Sequence, residues 1–155
     1  MTAKALFQTH PSLEGLPIGS FRYASQAFVR RNLPAHMVDL FEKMSEGIEE
    51  PRLTYHFRFL WKIAAEEHGR INKSRFGHGR WHCDGREDPD EIHRLLTIGG
   101  VPTLGRDGTV LHAGTVWEYS GAYEHRAQAV EESCWRLMMR VSETNMIYRN
   151  HWSRK

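Results

Sequence analysis

Leu53-Thr54-Tyr55-His56-Phe57-Arg58-Phe59-Leu60-Trp61-Lys62-Ile63 alternates in character, with Leu60 the one break. The odd positions are Leu, Tyr, Phe, Phe, Trp and Ile, and the even ones are mostly polar. Successive side chains of a strand point to opposite faces, so this alternation predicts a long strand with one apolar face. A second stretch, 134–142, behaves alike. Trp135, Leu137, Met139 and Val141 share one face; Arg136, Met138, Arg140 and Ser142 share the other.

Outward from these two segments the chain reads as short strands separated by turn signals. Candidates are 80–84, 92–98, 115–120 and 123–127, with an Asp107-Gly108 hairpin turn joining 102–104 to 109–112. Only 35–48 has helical spacing, with Met37, Val38, Leu40, Phe41, Met44 and Ile48 on one face, and it is expected on the outside of the domain. Residues 1–20, with Pro11, Gly15, Pro17 and Gly19, read as an irregular lead-in over a sheet edge. The expectation is a mainly β domain with a flanking helix: a lead-in plus helix over 1–50 and a β-sandwich or barrel core over 51–145. At 155 residues, one domain is expected over 1–155.

Composition narrows function by exclusion. A net charge of +2 does not argue for nucleic acid by bulk charge. Two cysteines, Cys83 and Cys134, form neither a disulfide framework nor a CxxC pair. Residues 1–20 lack the apolar core of a signal peptide, and no run approaches the ~18 apolar residues of a membrane span. The expectation is therefore no membrane partner and a cytoplasmic address.

Chemistry concentrates in two places. In Trp81-His82-Cys83-Asp84, strand geometry would turn His82 and Asp84 to one side and Cys83 to the other, where it would serve packing. A distant strand bearing His125 would complete two imidazoles and one carboxylate, a set that suits Fe(II) and leaves coordination positions open. A lone HxD arises often by chance. Its weight here comes from the segment leading to His125 and from Arg136 and Arg140 on one face, since buried cations require anions.

Other features carry less. Gly99-Gly100 is not a phosphate loop, because no helix with Lys-Ser/Thr follows. His112 reads as surface hairpin. Residues 66–79 read as a mobile polar loop. Within 52–80, Arg52, Arg58, Lys62, Arg70, Lys73, Arg75 and Arg80 face only Glu66 and Glu67. This excess is either a solvated face or a means of steering an anionic substrate, which keeps nucleic acid among the candidate partners. The acidic stretch 86–91 would cap the site, pair with those bases, or simply turn at Asp88-Pro89.

His82, Asp84, His125 and a following arginine resemble the pattern of the Fe(II)/2-oxoglutarate-dependent oxygenases. Gly-Thr-Val-Trp-Glu-Tyr-Ser-Gly at 114–121 resembles that family's strand leading into its distal histidine. The arginines lie 11 and 15 residues after His125, similar to the pair in taurine dioxygenase-like members. The resemblance covers about 78–145. It implies a double-stranded β-helix of jelly-roll or cupin type, a His82–Asp84–His125 iron centre, and 2-oxoglutarate and O2 as cosubstrates. It further implies hydroxylation of a C–H bond with release of succinate and CO2. Arg136 would grip the remote 2-oxoglutarate carboxylate and Arg140 would lie nearer the metal, or the two would exchange roles. Tyr119, Thr97 and Ser142 are candidates for hydrogen bonds to the cosubstrate; strand and core roles compete for each. Only 41 residues separate Asp84 from His125, short for the family, so lid insertions would be missing. Such an open site would take a small molecule or a polymer, or borrow a lid in a homo-oligomer.

Two other readings stand beside this one: a cupin-type metalloenzyme without 2-oxoglutarate, and a non-enzymatic β-barrel binding module using 52–80. The last predicts that charge reversal at Arg70, Lys73 and Arg75 abolishes binding while loss of His82 or Asp84 is silent.

Overall fold

The alternation at Leu53–Ile63 becomes one continuous strand. The computed structural model describes residues 2–49, 52–63, 80–84, 88–100, 102–128 and 133–154, with the side chains of 61–63 excepted. In chain order the elements are β1 (Lys4–Gln8), β2 (Gly19–Ala24), α1 (Gln26–Asn32), α2 (Ala35–Met44), β3 (Leu53–Ile63), β4 (Ile92–Ile98), β5 (Thr103–Gly105), β6 (Val110–Leu111), β7 (Thr115–Ser120), β8 (His125–Ala127) and β9 (Cys134–Glu143).

Two antiparallel sheets result. The larger has the order β1-β7-β4-β9-β3-β2, and the smaller β6-β5-β8. Segment 80–84 joins the smaller one through a bridge between His82 and His125. From β3 onward the chain alternates between them: β3 large, 80–84 small, β4 large, β5 and β6 small, β7 large, β8 small, β9 large. Among the described residues, pairing does not join the two sheets into a closed barrel.

Register decides what each face of the large sheet carries. Tyr55, Phe57 and Phe59 pair with Val141, Met139 and Leu137, and Leu96 pairs with Met139 on the other side of β9. All seven are buried on one face, together with Phe28, Val29, Met37, Phe41 and Met44 of the helices. Partners on the opposite face are His56 and Arg140, Arg58 and Met138, Leu60 and Arg136. The polar face of β3 thus looks inward, toward the small sheet, rather than into solvent. A second cluster of Leu95, Leu111, Tyr119 and Tyr123 fills part of that gap.

The helix expected over 35–48 is α2, which ends at Met44; Ser45 and the turn to Ile48 complete its apolar side. The irregular lead-in is corrected. β1 and β2 are the edge strands of the large sheet, and α1 precedes α2. β1 buries little, so it shows no apolar alternation. A bulge interrupts β2. α1 is seven residues long, too short for a periodic signal, although Ser25 caps it by accepting from the Phe28 N–H. Segment 80–84 is a bridge followed by a bend, not a regular strand. The Asp107-Gly108 hairpin is present between β5 and β6. Gly99 forms a turn at φ +77°, where an added Cβ would lie 2.2 Å from the Trp135 carbonyl oxygen. The loop 66–79 lies outside the described residues. No described helix is long and apolar enough to cross a membrane.

Phe57 is fully buried and stacks near Phe21 and Trp152. Phe57→Ala should cost about 3–5 kcal/mol in urea unfolding, whereas Ile147→Ala, at an 85% exposed position, should stay within about 0.5 kcal/mol.

Candidate metal centre

His82, Asp84 and His125 meet where segment 80–84 crosses the start of β8. Reciprocal backbone hydrogen bonds between His82 and His125, each 3.0 Å, hold the two histidines opposite one another. One donor atom from each of His82, Asp84 and His125 falls within 4.8 Å of the others. The His82 Nδ1 hydrogen-bonds the Arg80 carbonyl at 2.7 Å, and the His125 Nδ1 the Tyr123 carbonyl at 3.1 Å. A carbonyl only accepts, so both Nδ1 atoms carry the proton and both Nε2 atoms are left to act as donors to a metal. The His125 Nε2 lies 3.3 Å from Asp84 Oδ2. Two oriented imidazoles and a carboxylate fit a divalent transition-metal ion; the group could hold a metal.

Asp84 is the electrostatic hub. Arg140 bonds its Oδ1 at 2.6 Å and the Tyr119 hydroxyl donates to its Oδ2 at 2.5 Å. Burial alone would raise the Asp84 carboxyl, but Arg140 and then His125 outweigh it and hold it well below the usual carboxylate range. The Arg140 guanidinium is likewise penalised by burial, yet Asp84, Tyr119 and Tyr23 favour its charge more strongly. Burial, then Asp84, pushes the Tyr119 phenol well up, so it remains a donor. His82 is pushed down by burial and by His125. Burial also opposes charge on His125, but Asp84 prevails and raises it.

Beside the three residues lies a cavity of about 350 Å³. Arg22, Arg58, Arg136 and Arg140 line it, and among the described residues Asp84 is the one carboxylate in its wall. Leu60, Leu95, Ala127 and Met138 supply apolar surface, with Thr97 and Thr103 between them. Burial and then repulsion from Arg58 lower Arg136 to about 10. Arg136 and Arg140 are four residues apart on β9, ~13 Å at strand rise.

The anticipated residues therefore divide. His82, Asp84, His125, Arg136, Arg140 and Thr97 border the cavity. Tyr119 touches Asp84, and Ser142 shares a 2.7 Å hydrogen bond with His93 Nδ1. Cys83 also borders the cavity. His112 is exposed, as its hairpin position suggested. Arg52 pairs with Glu143, Arg80 is exposed, and Arg70, Lys73 and Arg75 lie outside the described residues. Of the acidic stretch, 86 and 87 lie outside the described residues. Asp88 accepts from the Asp90 N–H in a turn, and Glu91 is buried against Thr144. Arg22, Tyr23 and His56 were not anticipated; Arg58 had been counted only as local charge. His56 and Arg58 were legible as the polar face of β3, but Arg22 and Tyr23 carry no comparable signal.

His93 sits behind the centre. Its Nε2 is 3.3 Å from Glu91 Oε2, close enough for an ion pair but without hydrogen-bond alignment. Burial, then Arg140, lowers the ring to about 4, so it is neutral and the contact is not a salt bridge.

No family model matches this chain, and neither a curated protein nor a solved structure matches it.

Two outcomes follow. Tyr119→Phe should weaken Co(II) or Zn(II) binding about 10–100-fold in calorimetric titration, because it frees the carboxylate that Tyr119 orients. For the chelator-treated protein, the His93 ring takes its proton near 6.5 when unfolded and only near 4 when folded. The unfolded chain then binds more protons between those values, so stability should fall as pH drops through that window. The loss is about 3 kcal/mol, with His56 acting in the same sense. His93→Gln should flatten that slope in urea titrations run from pH 7 to 4.

Proposed function

We propose that this chain is a non-haem Fe(II)/2-oxoglutarate-dependent oxygenase that hydroxylates a C–H bond of a small anionic substrate. The observation that carries this reading is the joint placement of His82, Asp84 and His125 beside a cavity that also contains Arg136. Two further observations support it. The alternation of successive strands between two antiparallel sheets is compatible with the double-stranded β-helix that this reading requires. The orientation of both histidine rings by backbone carbonyls is what a metal-binding imidazole requires.

Bound Fe(II), 2-oxoglutarate and O2 supply the oxidising power for hydroxylation, with succinate and CO2 as by-products. His82, Asp84 and His125 would hold the iron, and three protein ligands leave positions for the cosubstrates. Arg140 and Tyr119 fix the Asp84 carboxylate in its ionised form. Arg136 would bind the remote 2-oxoglutarate carboxylate, which a guanidinium can hold through two parallel hydrogen bonds, while Arg140 bonds Asp84. Thr97 stands between them on the adjacent strand, facing Met138 in register. Leu60, Leu95 and Met138 supply apolar contact surface for the bound ligands.

Anaerobic titration with Fe(II) and 2-oxoglutarate tests the reading through the weak visible charge-transfer band of the chelated cosubstrate. The band should form in the wild type and vanish in His82→Ala. Arg136→Ala should weaken 2-oxoglutarate roughly thirtyfold or more, the equivalent of ~2 kcal/mol. A folded, metal-loaded protein without the band would instead favour a cupin-type enzyme independent of 2-oxoglutarate. Absence of metal binding would favour a binding module.

A further inference from the structure

Among the described residues, the cavity wall carries more arginines than Asp84 and an anionic cosubstrate would match. Arg140 is matched by Asp84. On the reading proposed above, Arg136 is matched by the cosubstrate. Arg22 and Arg58 remain, both at the cavity wall, and neither forms a salt bridge with a described residue.

Their placement is built by the β2 bulge. Phe21 pairs with Phe57 and Ala24 with Tyr55, so Arg22 and Tyr23 together oppose His56. Such two-against-one bulges re-aim side chains and recur beside active sites. Tyr23 adopts φ +54°, a conformation unusual for an aromatic residue and one that persists only where the surroundings hold it. Here the C-terminal segment does so. The Arg149 N–H donates to the Tyr23 carbonyl at 2.9 Å, the Ser25 N–H donates to Asn150 Oδ1 at 2.9 Å, and Ser20 bridges to Ser153. In a regular strand Tyr23 would share the core face with Phe21. The bulge turns it to the cavity beside Arg22 and returns Ala24 to the core. Arg58, opposite Ser20 in register, lies on the same inward face.

We infer that Arg22 and Arg58 form a docking site for the anionic head group of a small substrate, at the β2–β3 side of the cavity. This rests on the oxygenase reading for the identity of the second ligand, but not for the anion site itself. The two guanidiniums are close enough to repel: burial and then Arg22 lower Arg58. An oxyanion between them removes that repulsion and gains charge-assisted hydrogen bonds from both. A cavity of about 350 Å³ lies near the lower end of ~300–1,000 Å³ for ligand sites, so a substrate sharing it with 2-oxoglutarate is small. With its head group at Arg22 and Arg58, its aliphatic part extends over Leu95 toward the His82–Asp84–His125 group. Phosphoryl, sulfonyl and carboxyl head groups share this chemistry.

Sodium sulfate and sodium acetate serve as probes, titrated calorimetrically at constant ionic strength into the anaerobic Fe(II)/2-oxoglutarate protein and, separately, into chelator-treated protein. The expected result is millimolar or tighter binding of at least one probe in both preparations. Arg22→Gln should weaken it at least fivefold and Arg58→Gln at least tenfold, with 2-oxoglutarate affinity changed less than twofold. Arg58→Lys should retain binding within threefold and guards against misfolding of the glutamine variant; Arg22 is exposed, so its substitution leaves the fold intact. Preference for sulfate or for acetate assigns a tetrahedral or a planar head group. Absence of probe binding by the wild type, affinity indifferent to both arginines, or loss of 2-oxoglutarate rather than probe in Arg58→Gln would each overturn the site. If 2-oxoglutarate itself does not bind, the oxygenase reading fails while the chelator-treated arm still decides the anion site.

Discussion

Everything around the cavity depends on how the Asp84 carboxylate is held. It is buried, and an isolated buried carboxylate is too costly to remain charged. Arg140 from β9, Tyr119 from β7 and His125 from β8 surround it. These three residues come from both sheets, so one carboxylate ties the large sheet to the small one. A buried ion pair of this kind adds little net stability over apolar packing, but breaking it by removal of one partner typically costs 3–5 kcal/mol. Its value is positional. It keeps Asp84 ionised and placed with His82 and His125, and it commits Arg140 to that carboxylate.

The large sheet is used asymmetrically. Its outer face joins Phe57, Leu96, Leu137 and Met139 to the two helices in one apolar cluster. Its inner face presents His56, Arg58, Arg136 and Arg140 to the space below the small sheet. That polar inner face is tolerable because Arg140 meets the Asp84 carboxylate, and because the cavity has room for water or ligand. The helices therefore stabilise the sheet from the side away from the cavity, and the edge strand β2 carries a bulge without loss of the core.

The residues of the candidate metal site were legible in the sequence because they obey local rules. His82 and Asp84 are two apart, and Arg136 and Arg140 share the parity of a strand whose other face is Leu137, Met139 and Val141. The strand at Leu53–Ile63 was legible for the same reason. β1, β2 and α1 were missed because an edge strand, a bulged strand and a seven-residue helix lack enough repeats to show a period. Tyr119 and Ser142 were singled out, but local sequence could not say that their hydroxyls would meet Asp84 and His93 instead of the cavity.

Sequence by itself determined the parity of each strand, and with it which side chains travel together: the aromatic face of β3, the paired arginines of β9, the HxD of segment 80–84. It did so because the two-residue repeat of an extended backbone is a local property. Only the tertiary structure decided which face turned inward, that His125 would sit opposite His82, that Arg140 and not Arg136 would take Asp84, and that a bulge in β2 would bring Arg22 and Tyr23 to the same cavity. Those outcomes depend on register between strands far apart in the chain, where hydrogen-bond pairing and burial of the apolar face select one alignment that no local pattern encodes.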